Sequence, residues 1–277
     1  MLEFEARRKK VFEQMKDNSV AIFFSGVSKI ASEDEMLPYV TNKNFFYLTN
    51  IKQEHSVLML IKSLGEKKTY LFIDPYSELK EKWTGKRLTV DKAMLLSDIK
   101  NVYTTDTFET MLKLALANDN NQYGDIDCVY LDLTSPEQKI DDGQYINDFS
   151  LKLKLDFNDK EIVDSYPMMR DLRMVKSSTE IEYIIKAIDK TNSGISLLVS
   201  QLNGGIVEHE LADVFEMYGR SHDRAPLAFS TIIAGGKNAT CLHYPTQDDV
   251  IKQDDLVLFD LGYSYNGYSA DISRTSQ

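Results

Sequence analysis

Apolar residues recur along roughly the first 155 residues in short runs of strand length, separated by segments with helical spacing. Phe4, Val11 and Met15 follow the helical period, so we expect the chain to open with an amphipathic helix. Strands mixed with helices predict a sheet covered on both faces, and therefore an α/β domain. The other predicted elements are strands at 19–24, 45–48, 56–61, 69–73 and 128–131, and a helix at 107–116.

Two further helices, followed by strands, are predicted after residue 176. Ser177 and Glu180 have the spacing of a capping box, which marks the start of the first helix. The second helix is expected to begin near Val207. The predicted core-facing stripes are Ile181, Ile184, Ile185 and Ile188 on the first helix, and Leu211, Val214, Phe215 and Tyr218 on the second.

Residues 254–275 are expected to form a hairpin. The unbroken apolar run at 256–259 is typical of a strand buried on both faces. Asn266 and Gly267 follow it, and this pair is the strongest short signal for a two-residue hairpin turn. The cross-strand pairs that this turn predicts are Tyr265 with Tyr268 and Gly262 with Asp271.

The predicted hairpin carries two carboxylates, those of Asp260 and Asp271. Its register places both on one face as diagonal neighbours, with backbones about 7–8 Å apart. Gly262 is expected to leave open space beside Asp271. Converging carboxylates are costly unless a cation neutralises them, and hard divalent ions prefer oxygen ligands. The pattern therefore fits a divalent metal site, or else a surface hairpin whose carboxylates are simply hydrated.

Composition narrows the class of protein. The chain has 277 residues, 43% of them hydrophobic, and a formal net charge of −11. The negative charge argues against nucleic acid and anionic membrane as partners. Two cysteines, Cys128 and Cys241, do not make a disulfide framework and suggest a reducing compartment. With no signal-peptide pattern and no long apolar run, the cytoplasm is the expected location.

The hairpin motif resembles a known family. Its pattern, D-x-G, then G-Y, then D-I-x-R-T, is similar to the first metal-ligand hairpin of the metallopeptidases that include methionine aminopeptidase, aminopeptidase P, prolidase and creatinase. These share the pita-bread fold. The resemblance implies that Asp260 binds one of two divalent ions and that Asp271 bridges both. The expected ions are manganese, or else cobalt or zinc.

The resemblance extends over nearly the whole chain. Residues 39–60 are similar to the F-x-Y-L-T-G-F stretch of the N-terminal domain of aminopeptidase P and prolidase, and 83–87 resemble its W-x-G-x-R turn. Residues 169–176 resemble the connector between the family's two domains. The implied organisation is a creatinase/prolidase-like α/β domain at 1–160, a linker at 161–176 and the first half of a pita-bread metallopeptidase domain at 177–277.

Among the four histidines, His243 is the candidate for function. It lies with Tyr244 in a segment, 238–244, that resembles the family's N-A-x-x-x-H-Y motif. The resemblance implies that His243 is catalytic, by stabilising the transition state, and that His243 and Tyr244 bind substrate. Without the motif, a core histidine satisfied by a backbone carbonyl would be the simpler interpretation.

The implied function is that of an Xaa-Pro aminopeptidase acting on proline-containing peptides. The family's remaining ligands, a histidine and two glutamates, are expected beyond Gln277, so the chain alone is expected to be inactive and to bind metal weakly or not at all. A homo-oligomer or a complementing C-terminal half is the expected assembly. The alternatives are an Xaa-Pro dipeptidase, a non-catalytic peptide-binding or scaffold relative, and one product of a split enzyme.

Overall fold

The computed structural model describes residues 3–33, 35–117, 122–133 and 141–277. The chain forms two compact units, Met1–Val175 and Lys176–Gln277. None of the helices in the described ranges combines the length and the apolar character that a bilayer-spanning segment requires. The domain bounds of 1–160 and 177–277 stay a prediction, because contacts define a compact unit whereas independent folding defines a domain.

Six of the described strands form the mixed sheet of the first unit. They are β1 Ser19–Phe24, β2 Val57–Ser63, β3 Glu66–Ile73, β4 Asn101–Thr104, β5 Cys128–Leu131 and β6 Glu161–Asp164. Their order in the sheet is β4-β3-β2-β1-β5-β6; the β1–β2 and β2–β3 pairs are antiparallel, and the remaining pairs are parallel. All the predicted strands of this half except that at 45–48 are confirmed.

Helices cover both faces of this sheet, which confirms the predicted α/β class. Along β1, Ala21 and Phe23 pack into one apolar cluster, whereas Val20, Ile22 and Phe24 pack into another on the opposite face. The helices are α1 Glu3–Gln14, α2 Lys43–Thr49, α3 Glu78–Thr84, α4 Val90–Ser97, α5 Phe108–Leu116, α6 Asp141–Asp156 and α7 Tyr166–Met174, with a 3-10 turn at Thr105–Thr107.

The strand predicted at 45–48 is wrong, because this segment is helix α2. The Asn42 side chain accepts hydrogen bonds from the amides of Asn44 and Phe45, and it caps the first turn. Asn50 ends the helix in the left-handed conformation. The aromatic residues are buried as predicted, but two asparagine caps outweigh their preference for strands.

In the second unit, two helices pack against a three-stranded antiparallel sheet. The elements are α8 Ser178–Gln201, α9 Glu208–Ser221, β7 Ile232–Gly235, a 3-10 helix Gly236–Thr240, β8 Val257–Leu261, β9 Ser264–Tyr265, β10 Tyr268–Ser269 and β11 Ile272–Ser276. The order of the three-stranded sheet is β11-β8-β7. The predicted helices and the capping box of Ser177 and Glu180 are confirmed.

The predicted stripe on α8 is wrong in its phase. Ile181 and Ile185 are exposed, and the small residues Ala187, Thr191 and Gly194 form the middle of the buried face instead. These small residues let the helix approach a stacked pair of rings, Phe215 and Tyr263, whose centroids lie 4.3 Å apart. At Gly194, a Cβ atom would lie 2.7 Å from the Phe215 ring. The buried α8 positions are Glu180, Ala187, Thr191, Gly194 and Leu198.

Candidate metal-ligand hairpin

The hairpin register is the predicted one. Tyr265 pairs with Tyr268 across the turn, and Asn266 and Gly267 both have positive φ, as a type I′ turn requires. On the long arms, Leu261 faces Ile272 and Asp260 faces Ser273, which by continuation places Gly262 opposite Asp271. Asp260 and Asp271 are therefore on the same face of the β8–β11 pair.

Strand β8 has one buried face and one open face. Val257, Phe259 and Leu261 are buried in the core with helices α8 and α9. The alternate residues Leu258 and Asp260 are only partly buried. The prediction of a strand buried on both faces is wrong within this chain, because the helices of the unit cover a single face. The carboxylates project from the other one.

The two carboxylates differ in their surroundings. Asp260 is half-buried, and its Oδ1 accepts a hydrogen bond of 2.9 Å from the Ser273 hydroxyl. Asp271 is exposed. Carboxylate oxygens such as these are the ligands that hard divalent ions prefer. They do not complete a site, since no group of three or more histidine, cysteine or acidic side chains suited to a metal occurs in the described part of the chain.

Gly262 does not leave the predicted open space. A Cβ atom at this position would overlap the carbonyl oxygen of Ala270 on the returning arm. The Ala270 amide donates to the Tyr263 carbonyl at 2.9 Å, and the Gly262 carbonyl accepts from the Ala228 amide at 2.8 Å. Glycine is required here because two backbones meet at close range, immediately before Asp271.

A buried glutamate holds the segment that contains His243. Glu208, at the start of α9, is fully buried. Its Oε1 accepts hydrogen bonds from the Gly235 amide and the Asn238 side chain, at 2.7 and 3.0 Å. Its Oε2 accepts from the Tyr244 hydroxyl and the Asp249 amide, at 3.0 and 3.2 Å. Four donors therefore satisfy this buried charge.

The residues of segment 238–244 thus differ in their surroundings. Asn238 and Tyr244 point to Glu208, whereas His243 is exposed between these anchors. A hydrogen bond with Thr246 lowers the pKa of the Tyr244 phenol, but desolvation and the Glu208 carboxylate raise it, and the resulting pKa lies above its ordinary value. Tyr244 therefore remains a protonated donor at neutral pH.

Comparison with known proteins identifies the family. Residues 4–123 match the model of the aminopeptidase P N-terminal domain, and residues 182–276 match that of metallopeptidase family M24. The chain belongs to the aminopeptidase P family. It is 31% identical over 274 residues to an Xaa-Pro aminopeptidase of Haemophilus influenzae and 27% identical over 286 residues to one of Escherichia coli.

Solved aminopeptidase P structures share the fold. A candidate aminopeptidase P from Bacillus anthracis has a TM-score of 0.92 at 33% sequence identity, and the match covers 99% of this chain and 64% of that one. A zinc-substituted E. coli aminopeptidase P in complex with product has a TM-score of 0.83 at 27% identity, with 99% and 61% covered. The chain spans 60% and 61% of the length of the two curated relatives.

Sequence reasoning missed two residues of this aminopeptidase P relative. Glu208 extends the buried stripe of α9, which continues through Leu211, Ala212 and Phe215 at helical spacing. The sequence signal for this role is a carboxylate at the first position of an apolar helical stripe. Such a carboxylate is expected to be buried, and a buried charge needs several hydrogen-bond donors around it. Ser273 was predictable from the register, since it lies directly opposite Asp260.

Proposed function

We propose that this chain supplies part of the active site of an Xaa-Pro aminopeptidase, including two carboxylate ligands of a dinuclear metal centre. The supporting observation is the β8–β11 register, which places Asp260 and Asp271 on the open face of the sheet. Family membership supports the proposed substrate, a peptide with proline in second position. The free cysteines Cys128 and Cys241 are consistent with a reducing compartment such as the cytoplasm.

Each residue has a distinct part in the proposed site. Asp260 and Asp271 would hold the metal ions, with the Oδ1 of Asp260 oriented by the Ser273 hydroxyl. When bound there, manganese, cobalt or zinc ions would supply an activated water and polarise the scissile carbonyl. His243 donates a hydrogen bond to the substrate and stabilises negative charge in the transition state. Tyr244 contributes to substrate binding by holding this segment on Glu208.

Two carboxylates give too few ligands for tight binding of paired ions. The proposed centre therefore needs ligands from residues outside this sequence, either in the same polypeptide or in a complementing one. We expect the 277-residue chain by itself to be inactive. A homo-oligomer is compatible with this proposal.

A non-catalytic peptide-binding role is the second candidate. It is favoured by the absence of a third metal ligand from the described residues. In that case the exposed His243 would still bind peptides without metal. An Xaa-Pro dipeptidase differs only in substrate length.

A chimera tests these candidates. The chain is continued after Gln277 with the remaining part of the H. influenzae relative and assayed with Mn²⁺ on Ala-Pro-Ala, Ala-Ala-Ala and Ala-Pro. We expect cleavage of Ala-Pro-Ala alone, no cleavage by the 277-residue chain, and a loss of at least about 1,000-fold in Asp271→Asn, because this carboxylate would be needed to hold the metal ions. Cleavage of Ala-Pro alone would indicate a dipeptidase. A folded chimera that binds peptide but cleaves none would refute the enzymatic proposal.

A further inference from the structure

A cleft of about 800 Å³ is lined entirely by residues of the first unit. Its walls come from the connection between α2 and β2 and from the segment that joins α3 to α4. The polar and charged residues among those lining it are Ser28, Tyr39, Asn50, Lys52, Gln53, Glu54, Thr84, Lys86, Arg87, Thr89 and Lys92. Among the described residues that line the cleft, four side chains are cationic and one is a carboxylate. The cleft is therefore positively charged, although the chain as a whole has a net charge of −11.

Two buried donors in this cleft have no acceptor among the described residues. Gln53 is 9% exposed, and its Nε2 has no hydrogen-bond partner. The Gln53 Oε1 is engaged, because it accepts from the Leu88 amide at 2.7 Å. The Nε of Arg87 is also buried without a partner. A buried donor left unsatisfied costs about 1–3 kcal/mol, so each group would be stabilised by an acceptor that a rearrangement of the cleft wall brings into contact with it.

The one carboxylate of the cleft is already engaged. Burial raises the pKa of Glu54, but hydrogen bonds from Ser28 and the charges of His55 and Arg87 lower it, and the resulting pKa lies below its ordinary value. Glu54 is therefore ionised at neutral pH. It accepts from the Ser28 hydroxyl at 2.6 Å and lies 3.3 Å from Nη1 of Arg87.

The arginine charge is balanced, and the lysine charges are not. Arg87 contacts Glu54 through Nη1 and Asp74 through Nη2, at 3.3 and 3.8 Å. Lys52, Lys86 and Lys92 form no ion pair with any residue that the structure describes. The cleft thus combines a surplus of three positive charges with two unsatisfied N–H donors at its wall.

We propose that this cleft binds a small anion of more than one charge, carrying phosphate or carboxylate groups. The lysines supply charge, while Gln53 Nε2 and Arg87 Nε supply directed hydrogen bonds to its oxygens. Glu54 holds the arginine through Nη1, and the Nε of the same guanidinium has no partner in the described part of the chain. The proposal of this anion site does not depend on the proposed peptidase function, and the two are tested by separate experiments.

Isothermal titration calorimetry tests the site, with pyrophosphate and citrate as probes at constant ionic strength. We expect saturable binding of at least one probe. Lys52→Gln/Lys92→Gln should weaken it by about tenfold or more, since two charges are lost. The matched control Lys10→Gln/Lys113→Gln removes two exposed lysines elsewhere in the first unit and should change the affinity by less than about twofold.

Gln53→Glu gives an independent test of the directed bond. The variant keeps an oxygen for the Leu88 amide but replaces the free donor by a negative acceptor, so binding should be lost in a variant whose circular dichroism spectrum shows that it is folded. Binding of pyrophosphate alone would define the group as phosphate, and binding of citrate alone as carboxylate. No saturable binding of either probe, or equal weakening in the control double variant, would overturn the proposal.

Discussion

Gly262→Ala is expected to destabilise the second unit by more than about 3 kcal/mol. The new methyl group would overlap the Ala270 carbonyl oxygen. Neither backbone can move freely, because hydrogen bonds to Ala228 and Tyr263 hold the two arms. The substitution should also displace Asp271, which follows Ala270 directly.

Gly205→Ala is the control for this substitution. Gly205 has a φ of +102°, but nothing lies within 4 Å of a Cβ atom there, so the cost is conformational and about 1 kcal/mol. Hydrogen exchange of amides in β8 and β11 is the suitable measurement, since the single tryptophan, Trp83, belongs to the first unit and reports its unfolding instead. Equal losses of protection in Gly262→Ala and Gly205→Ala would refute the steric argument.

Glu208→Gln is expected to lower the free energy of unfolding of the second unit by about 3 kcal/mol. The carboxylate accepts four hydrogen bonds in full burial. A glutamine retains one acceptor oxygen and turns its amide group toward two of the donors, whichever way it is oriented. The loss of local stability should be greatest in residues 236–249, which include His243.

Glu210→Gln is the matched control on the same helix. Glu210 accepts from the Val207 amide at 2.8 Å as the third residue of α9, and a glutamine can make the same capping contact. Its expected cost is below about 0.5 kcal/mol. Urea unfolding followed by circular dichroism compares the two variants. If Glu208→Gln proved no more costly than Glu210→Gln, the carboxylate could not be the anchor of this segment.

The parts predictable from sequence are those in which one local signal decides the structure. Asn266 and Gly267 determined the turn, and the turn determined which residues pair along both arms, Asp260 with Ser273 included. The capping box at Ser177 likewise located the start of α8. The carboxylates could be assigned to one face because residue alternation in a strand leaves no other choice.

The predictions were wrong where tertiary packing or helix capping, and not local propensity, determines the structure. The aromatic run at 45–48 has strand propensity, yet the Asn42 cap makes it helical. The isoleucines of α8 have the right period, but Gly194 and its small neighbours face the core because only they accommodate the Phe215–Tyr263 stack. Apolar content predicts burial of a helix, and the space available decides which face is buried.

The space at Gly262 illustrates the same limit. A glycine beside a candidate ligand fits either an open cavity or a close backbone approach, and the local sequence does not distinguish them. Glu208 shows the converse case, since its role depends on donors up to 41 residues away along the chain. Contacts of that range are not encoded in a local pattern.

Mn²⁺ binding tests most directly whether Asp260 and Asp271 act together as ligands. Free Mn²⁺ is measured by electron paramagnetic resonance in titrations of the chain and of Asp260→Asn, Asp271→Asn, their double variant and Asp254→Asn, an exposed control next to β8. We predict a Kd on the order of a millimolar. Each ligand variant should weaken binding by about tenfold or more, with no further loss in the double variant, because the pair acts as one site. Unchanged affinity in both single variants, or an equal loss in Asp254→Asn, would contradict the assignment of this hairpin as a metal-ligand pair.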